Sequence, residues 1–92
     1  MMFQQAITIQ NPRGIHLRPA TLILEARRRY PHAQVWLSRP DDGQRIEPKS
    51  PLDLLALALV KGTQVILEVD GPQTTECAAE LSRLLSKTYE FK

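Results

Sequence analysis

Residues 11–24 read NPRGIHLRPATLIL, and the character of the chain changes halfway along them. Asn11 to Gly14 is a breaker, whereas Leu17, Ala20, Ile23 and Leu24 recur at helical spacing. Pro19 decides where that helix begins. In a helix interior it would remove a hydrogen bond and clash with the preceding turn, at a cost of about 3 kcal/mol. In a first turn its missing N–H would have had no intrahelical acceptor. The helix is therefore predicted to start at or just after His16 and to run to Arg29, with His16 as its cap and Pro19 in the third helical position. Gly14 lets the chain turn sharply into that cap.

Outward from this stretch the elements alternate. FQQAITI, before it, places Ile7 and Ile9 on one face and Ala6 and Thr8 on the other, as a strand does. After YPH, AQVWLS alternates with Val35 and Leu37 against Gln34 and Trp36. Asp42-Gly43 then signals a hairpin into a short strand, QRIE, with Pro48 suited to an edge. KSPLDLLALALVKG reads as a short helix capped by Ser50, with Pro51 in its first position, Asp53 three residues after the cap, and Gly62 as a left-handed stop. TQVILEV is a strand that turns Val65, Leu67 and Val69 to one face. The last helix opens at Pro72, with a seam of Cys77, Ala78, Leu81, Leu84, Leu85 and Tyr89. The order is β-α-β-β-α-β-α. One apolar face per element implies an α+β domain, residues 1–92, with a four-stranded antiparallel sheet and three helices on one face. Unrelated domains share that order, so it does not by itself give a function.

Composition narrows the classes. The 92 residues carry 12 basic and 10 acidic side chains, a surplus too small to indicate a nucleic-acid binder. The basic residues bunch instead, at Arg13, Arg18 and Arg27 to Arg29. An RNA-recognition domain would need stacking aromatics on its third strand, and QRIEP has none. A single cysteine, Cys77, excludes an internal disulfide and a CxxC pair, and reads as core packing. The N-terminus lacks the pattern of a secretory signal, and LLALALV is too short to span a bilayer. A cytoplasmic protein without membrane insertion is expected.

The helix start also carries chemistry. First-turn amides and the positive end of the helix dipole favour a phosphate-like anion. The amides of Leu17 and Arg18 point past His16, and the Arg18 guanidinium can fork onto phosphate oxygens. Neutral imidazole is a nucleophile, and a nucleophile inside an anion site is what phosphoryl transfer through histidine requires. Phosphate-binding helix starts are common, however, and most histidines at loop-to-helix junctions are merely polar surface residues. His32, in a turn, reads as exposed and inert. No metal and no cofactor is expected.

GIHLRPA resembles the active-site signature of the histidine-containing phosphocarrier family, HPr, of the bacterial phosphoenolpyruvate-dependent sugar phosphotransferase system. The resemblance extends over MFQQAITI and KSPLDLLALALVKGTQV, and so over essentially the whole chain. It implies an open-faced β-sandwich. It also implies that His16 accepts a phosphoryl group from enzyme I on Nδ1 and passes it to an enzyme IIA domain, assisted by Arg18. Such a protein is a carrier with a covalent phosphohistidine rather than an independent enzyme. The chain departs from the family pattern at Leu17, where a small residue is usual, and at Arg13, which could add a second cation to the site. Ala58 and Arg29 stand where glycines are common. GPQ, at residues 71–73, resembles the nitrogen-related paralogue NPr. Ser50 aligns with a serine that a regulatory kinase phosphorylates in some members, although its structural reading is an N-cap. Leu52, Leu55 and Ala58 are either core or an apolar rim near His16, part of the family's docking surface.

Two further readings concern partners. A regulatory binding module of the same fold, acting on a kinase or a transcription regulator, is the alternative to a carrier, and the retention of His16 and Arg18 argues against a module that has lost transfer. Trp36 and Ile66 fall on the sheet face opposite the helices, where Ala6 can join them. A monomer is expected, with weak self-association through that open face as one outcome and shielding of the indole by Glu68 or Gln34 as the other.

Overall fold

Along Gln64–Asp70 burial alternates residue by residue, and Val65, Leu67 and Val69 are fully enclosed. This strand lies inside the sheet and organises the rest. The computed structural model describes residues 2–89. Its elements are β1 (Phe3–Thr8), α1 (Leu17–Arg28), β2 (Gln34–Ser38), β3 (Arg45–Ile46), α2 (Pro51–Ala56), β4 (Gln64–Asp70) and α3 (Thr74–Ser86). The sheet order is β1-β4-β2-β3, and every neighbouring pair is antiparallel. Pairings such as Ile7 with Val65 and Leu37 with Leu67 put like-facing apolar residues side by side. The three helices close over these residues. Ala20, Ile23 and Leu24 of α1, Leu54 of α2, and Cys77, Ala78, Leu81 and Leu85 of α3 join them in one core. Burial pushes the Cys77 thiol above its ordinary titration range.

The helix boundaries show which local signals won. At the start of α2 the Asp53 carboxylate accepts from the N–H groups of Lys49 (2.8 Å) and Ser50 (3.1 Å), with Ser50 as N-cap and Pro51 in the first turn. The expected stop at Gly62 is wrong. The helix ends at Ala56, and Ala58 takes the left-handed turn at φ 54°. Residues two apart on a helix point about 200° away from each other. A continued helix could not bury both Leu57 and Leu59, and the early turn buries both. Arg39, from the β2–β3 hairpin, donates through Nη1 to the carbonyls of Leu57 (2.8 Å) and Ala58 (3.1 Å), capping this end from outside. The same guanidinium pairs with both oxygens of Asp41 and holds that carboxyl below its ordinary range.

α3 opens at Thr74, not Pro72, with Gln73 as its left-handed N-cap at φ 59°. Tyr89 lies past the helix end, not on the helical seam, and folds back to donate its hydroxyl to Leu84 O at 2.6 Å. Tyr30 and Arg29, at the end of α1, both reach the Glu80 carboxylate on α3.

On the open face Trp36 sits opposite Glu68. Its ring is half-buried beneath the Arg45 guanidinium, 4.9 Å from the ring centroid, and Arg45 Nε donates to Glu68 Oε1 at 3.2 Å. The indole is therefore shielded, with Arg45 as the cover and Glu68 as its anchor. Among the described residues no helix is long and apolar enough to cross a membrane.

Candidate functional site

The breaker that ends β1 becomes a four-residue turn, Asn11 to Gly14, closed by the Gly14 N–H donating to Asn11 O at 2.8 Å. Gly14 leaves it at φ 68°. A Cβ there would collide with the Leu59 carbonyl oxygen and lie 2.9 Å from Val60 Cα, so only glycine allows the approach. Ile15 is buried, and its N–H donates to Leu59 O at 2.8 Å. The shelf that follows α2 thus supports the entry to α1.

His16 follows as the N-cap of α1, in extended conformation, with φ −87° and ψ −169°. Its carbonyl takes the first intrahelical bond, from Ala20 N at 3.0 Å, and its side chain is half-buried. Pro19 is buried in the third helical position, as expected. It carries no N–H, so the first-turn donors that the helix itself cannot satisfy are the amides of Leu17 and Arg18. No acidic residue occupies this first turn. The positive pole of the helix dipole therefore lies at the end that carries the imidazole, and Arg18 stands in the same first turn. At the far end, Arg27 and Arg28 complement the opposite pole.

The other residues singled out from sequence fall in distinct places. Leu17 and Arg18 are exposed beside His16, and Arg13 is exposed at the corner of the entering turn. Leu17 is 57% exposed, and Leu52 and Val60 are 70% and 60% exposed, large apolar side chains left open to solvent. Leu52 and Ala58 are therefore at the surface and Leu55 is half-buried, whereas Leu54, Leu57 and Leu59 supply the core positions of that segment. Ser50 stands at the N-cap of α2. His32 is exposed. One residue escaped the sequence reading. Asn11 is 1% exposed, donates through Nδ2 to Gly14 O at 2.7 Å and accepts from Tyr89 N at 2.8 Å. Its only sequence signal is its place at the first position of a turn before proline.

A four-stranded antiparallel sheet covered on one side by three helices is the open-faced β-sandwich. The family described as "PTS HPr component phosphorylation site" matches residues 3–87, and the chain belongs to this HPr family. It is 36% identical over 90 residues to the phosphocarrier protein NPr of Klebsiella oxytoca, covering 98% of each chain. It is 30% identical over 89 residues to the phosphocarrier protein HPr of Treponema pallidum (strain Nichols), covering 97% of this chain and 98% of that one. The crystal structure of an HPr from Bacillus anthracis superposes with a TM-score of 0.82 at 24% identity, over 92% of this chain and 98% of that one, a likeness of fold. Membership supports a phosphocarrier role in the phosphotransferase system, and an NPr-like paralogue is consistent with these relatives.

Proposed function

We propose that this chain is a phosphoryl carrier that accepts its group from phospho-enzyme I on His16 and passes it to an enzyme IIA domain. The observation that carries the reading is the position of His16, an imidazole at the cap of a helix start that has no acidic residue and is flanked by Arg18. The lone pair of Nδ1 attacks phosphorus, the bond from phosphorus to the donor breaks, and a phosphorus–nitrogen bond to His16 forms. Delivery to enzyme IIA reverses these roles, and no net oxidation or reduction occurs. The amides of Leu17 and Arg18, with the Arg18 guanidinium, bear the charge on the transferring group. Arg13 adds positive potential at the rim of the site, and exposed Leu17, Leu52 and Val60 offer apolar area to both partners. The reading takes residues 1–92 as one carrier domain acting in the cytoplasm. Ser50 is assigned to capping α2. A phosphate there would face the Asp53 carboxylate, which already holds the Lys49 and Ser50 amides.

The test is incubation with phosphoenolpyruvate, magnesium and purified enzyme I, followed by addition of an enzyme IIA domain. One phosphoryl group per chain is expected, gained with enzyme I and lost to enzyme IIA. A chain that gains none with enzyme I from either the sugar or the nitrogen branch refutes the assignment.

A further inference from the structure

The peptide group between Gly14 and Ile15, one residue before the cap, is held at both ends. Its N–H donates to Leu59 O at 2.8 Å, and its carbonyl accepts from Asn11 Nδ2 at 2.7 Å. We infer that Asn11 is a positioning residue for His16, its buried amide fixing this peptide plane and tying it to the C-terminal segment at Tyr89. The inference rests on the phosphoryl-carrier reading.

The chemistry of the Asn11 site admits little else. At 1% exposure a polar side chain must be hydrogen-bonded or it destabilises the fold. Asn11 Nδ2 faces a carbonyl and Oδ1 faces the Tyr89 N–H at 2.8 Å, so the amide is used once as donor and once as acceptor. A flipped amide would oppose acceptor to acceptor and donor to donor. The main-chain carbonyl of Asn11 also accepts from Gly14 N at 2.8 Å, so this one residue seals the turn through both its backbone and its side chain. Tyr89 is anchored in turn by its hydroxyl on Leu84 O at 2.6 Å, which connects the end of α3 to the turn ahead of α1. Without the Asn11 amide, the Gly14–Ile15 plane keeps only the Leu59 clamp and can rotate. His16 is the next residue, so rotation of that plane shifts the extended backbone from which the imidazole projects. Misplacement of a reacting group by about 1 Å can cost on the order of a hundredfold in rate. The exposed apolar side chains Leu17, Leu52 and Val60 are untouched by the change, so affinity for enzyme I should hold.

Two variants test this, Asn11→Ala and Asn11→Asp. In Asn11→Asp the carboxylate can still accept from Tyr89 N, but it sets an oxygen against Gly14 O. Once protonated it becomes a donor again. The measurements are single-turnover phosphoryl uptake from phospho-enzyme I, enzyme I affinity, and circular dichroism at the same temperature. The expected result is uptake slowed by about tenfold or more in folded Asn11→Ala, with enzyme I affinity within about twofold of wild type. Asn11→Asp should be similarly slow at about pH 7.5, and its rate relative to wild type should recover as pH falls towards about 5.5, because burial raises the pKa of a carboxyl group. A purely structural role moves the unfolding midpoint without this pH-dependent rescue. Wild-type uptake by folded Asn11→Ala, or a rate ratio for Asn11→Asp that is flat with pH, overturns the inference. A wild type that takes up no phosphoryl group overturns the carrier reading, and the positioning role falls with it.

Discussion

Replacing Gly14 with alanine would strike the backbone approach on which the site is built. Three costs can be read from the structure. At φ 68° an L-residue is disfavoured by roughly 1–2 kcal/mol relative to the right-handed region. The new methyl would drive into the Leu59 carbonyl and Val60 Cα, and overpacking of this kind costs about 1–3 kcal/mol. If the loop lifts to escape the clash, the hydrogen bond from Ile15 N to Leu59 O breaks and a buried N–H loses its partner, at about 1–3 kcal/mol. Lifting relieves the clash, so the last two costs are alternatives, and the sum is about 2–5 kcal/mol. A domain of this size is stable by about 5–14 kcal/mol, so Gly14→Ala removes a large part of that margin. At about 4–8 °C per kcal/mol, the melting temperature should fall by at least about 8 °C. Urea unfolding and thermal melts followed by circular dichroism would measure it. A shift of less than about 4 °C would refute the close-approach argument, because it would mean that Leu59 and the turn separate at almost no cost.

Ala58→Gly should act in the opposite sense. The left-handed turn at φ 54° disfavours alanine by about 1–2 kcal/mol, and the greater freedom of glycine in the unfolded chain returns about 0.4–1 kcal/mol, so a net gain of up to about 1.5 kcal/mol is expected in urea unfolding. Arg18→Ala should slow phosphoryl uptake and delivery alike while leaving the unfolding midpoint within about 0.5 kcal/mol of wild type. A single transition-state donor is worth about 2.7–4 kcal/mol, and a smaller loss is expected here because the amides of the first turn remain. On the open sheet face, Arg45 over Trp36 leaves little apolar area to drive assembly. Sedimentation across a concentration series should find a monomer, with Trp36 emission already blue-shifted, and Arg45→Ala should move that emission to the red. A concentration-dependent dimer lost in Trp36→Ser would instead establish that face as an interface.

Much of this architecture is legible in sequence because the patterns are local. Period-two alternation in β2 and β4 and helical spacing in α1 place the core faces correctly, and Pro19 alone sets the start of α1. The errors fall where a distant contact decides. α2 stops at Ala56 because both Leu57 and Leu59 must reach the core and because Arg39 caps the end from another hairpin. Neither cause lies within the helical stretch, and Gly62 looked like the natural stop. Tyr89 fits the α3 seam by spacing, yet it leaves the helix to meet Asn11, a residue 78 positions away. His16, Arg18 and the helix start between them were readable because one short segment supplies all three. The role of Asn11 was not, since one of its two side-chain hydrogen bonds comes from the other end of the chain.

The central claim is that His16 carries the phosphoryl group. Intact-mass measurement after incubation with enzyme I and phosphoenolpyruvate tests it most directly, on wild type and His16→Ala side by side, before and after mild acid. The account predicts one added phosphoryl group on the wild type, removed by acid as a phosphorus–nitrogen bond requires, and none on folded His16→Ala. An acid-labile phosphoryl group on His16→Ala, or an acid-stable one on the wild type, would contradict it.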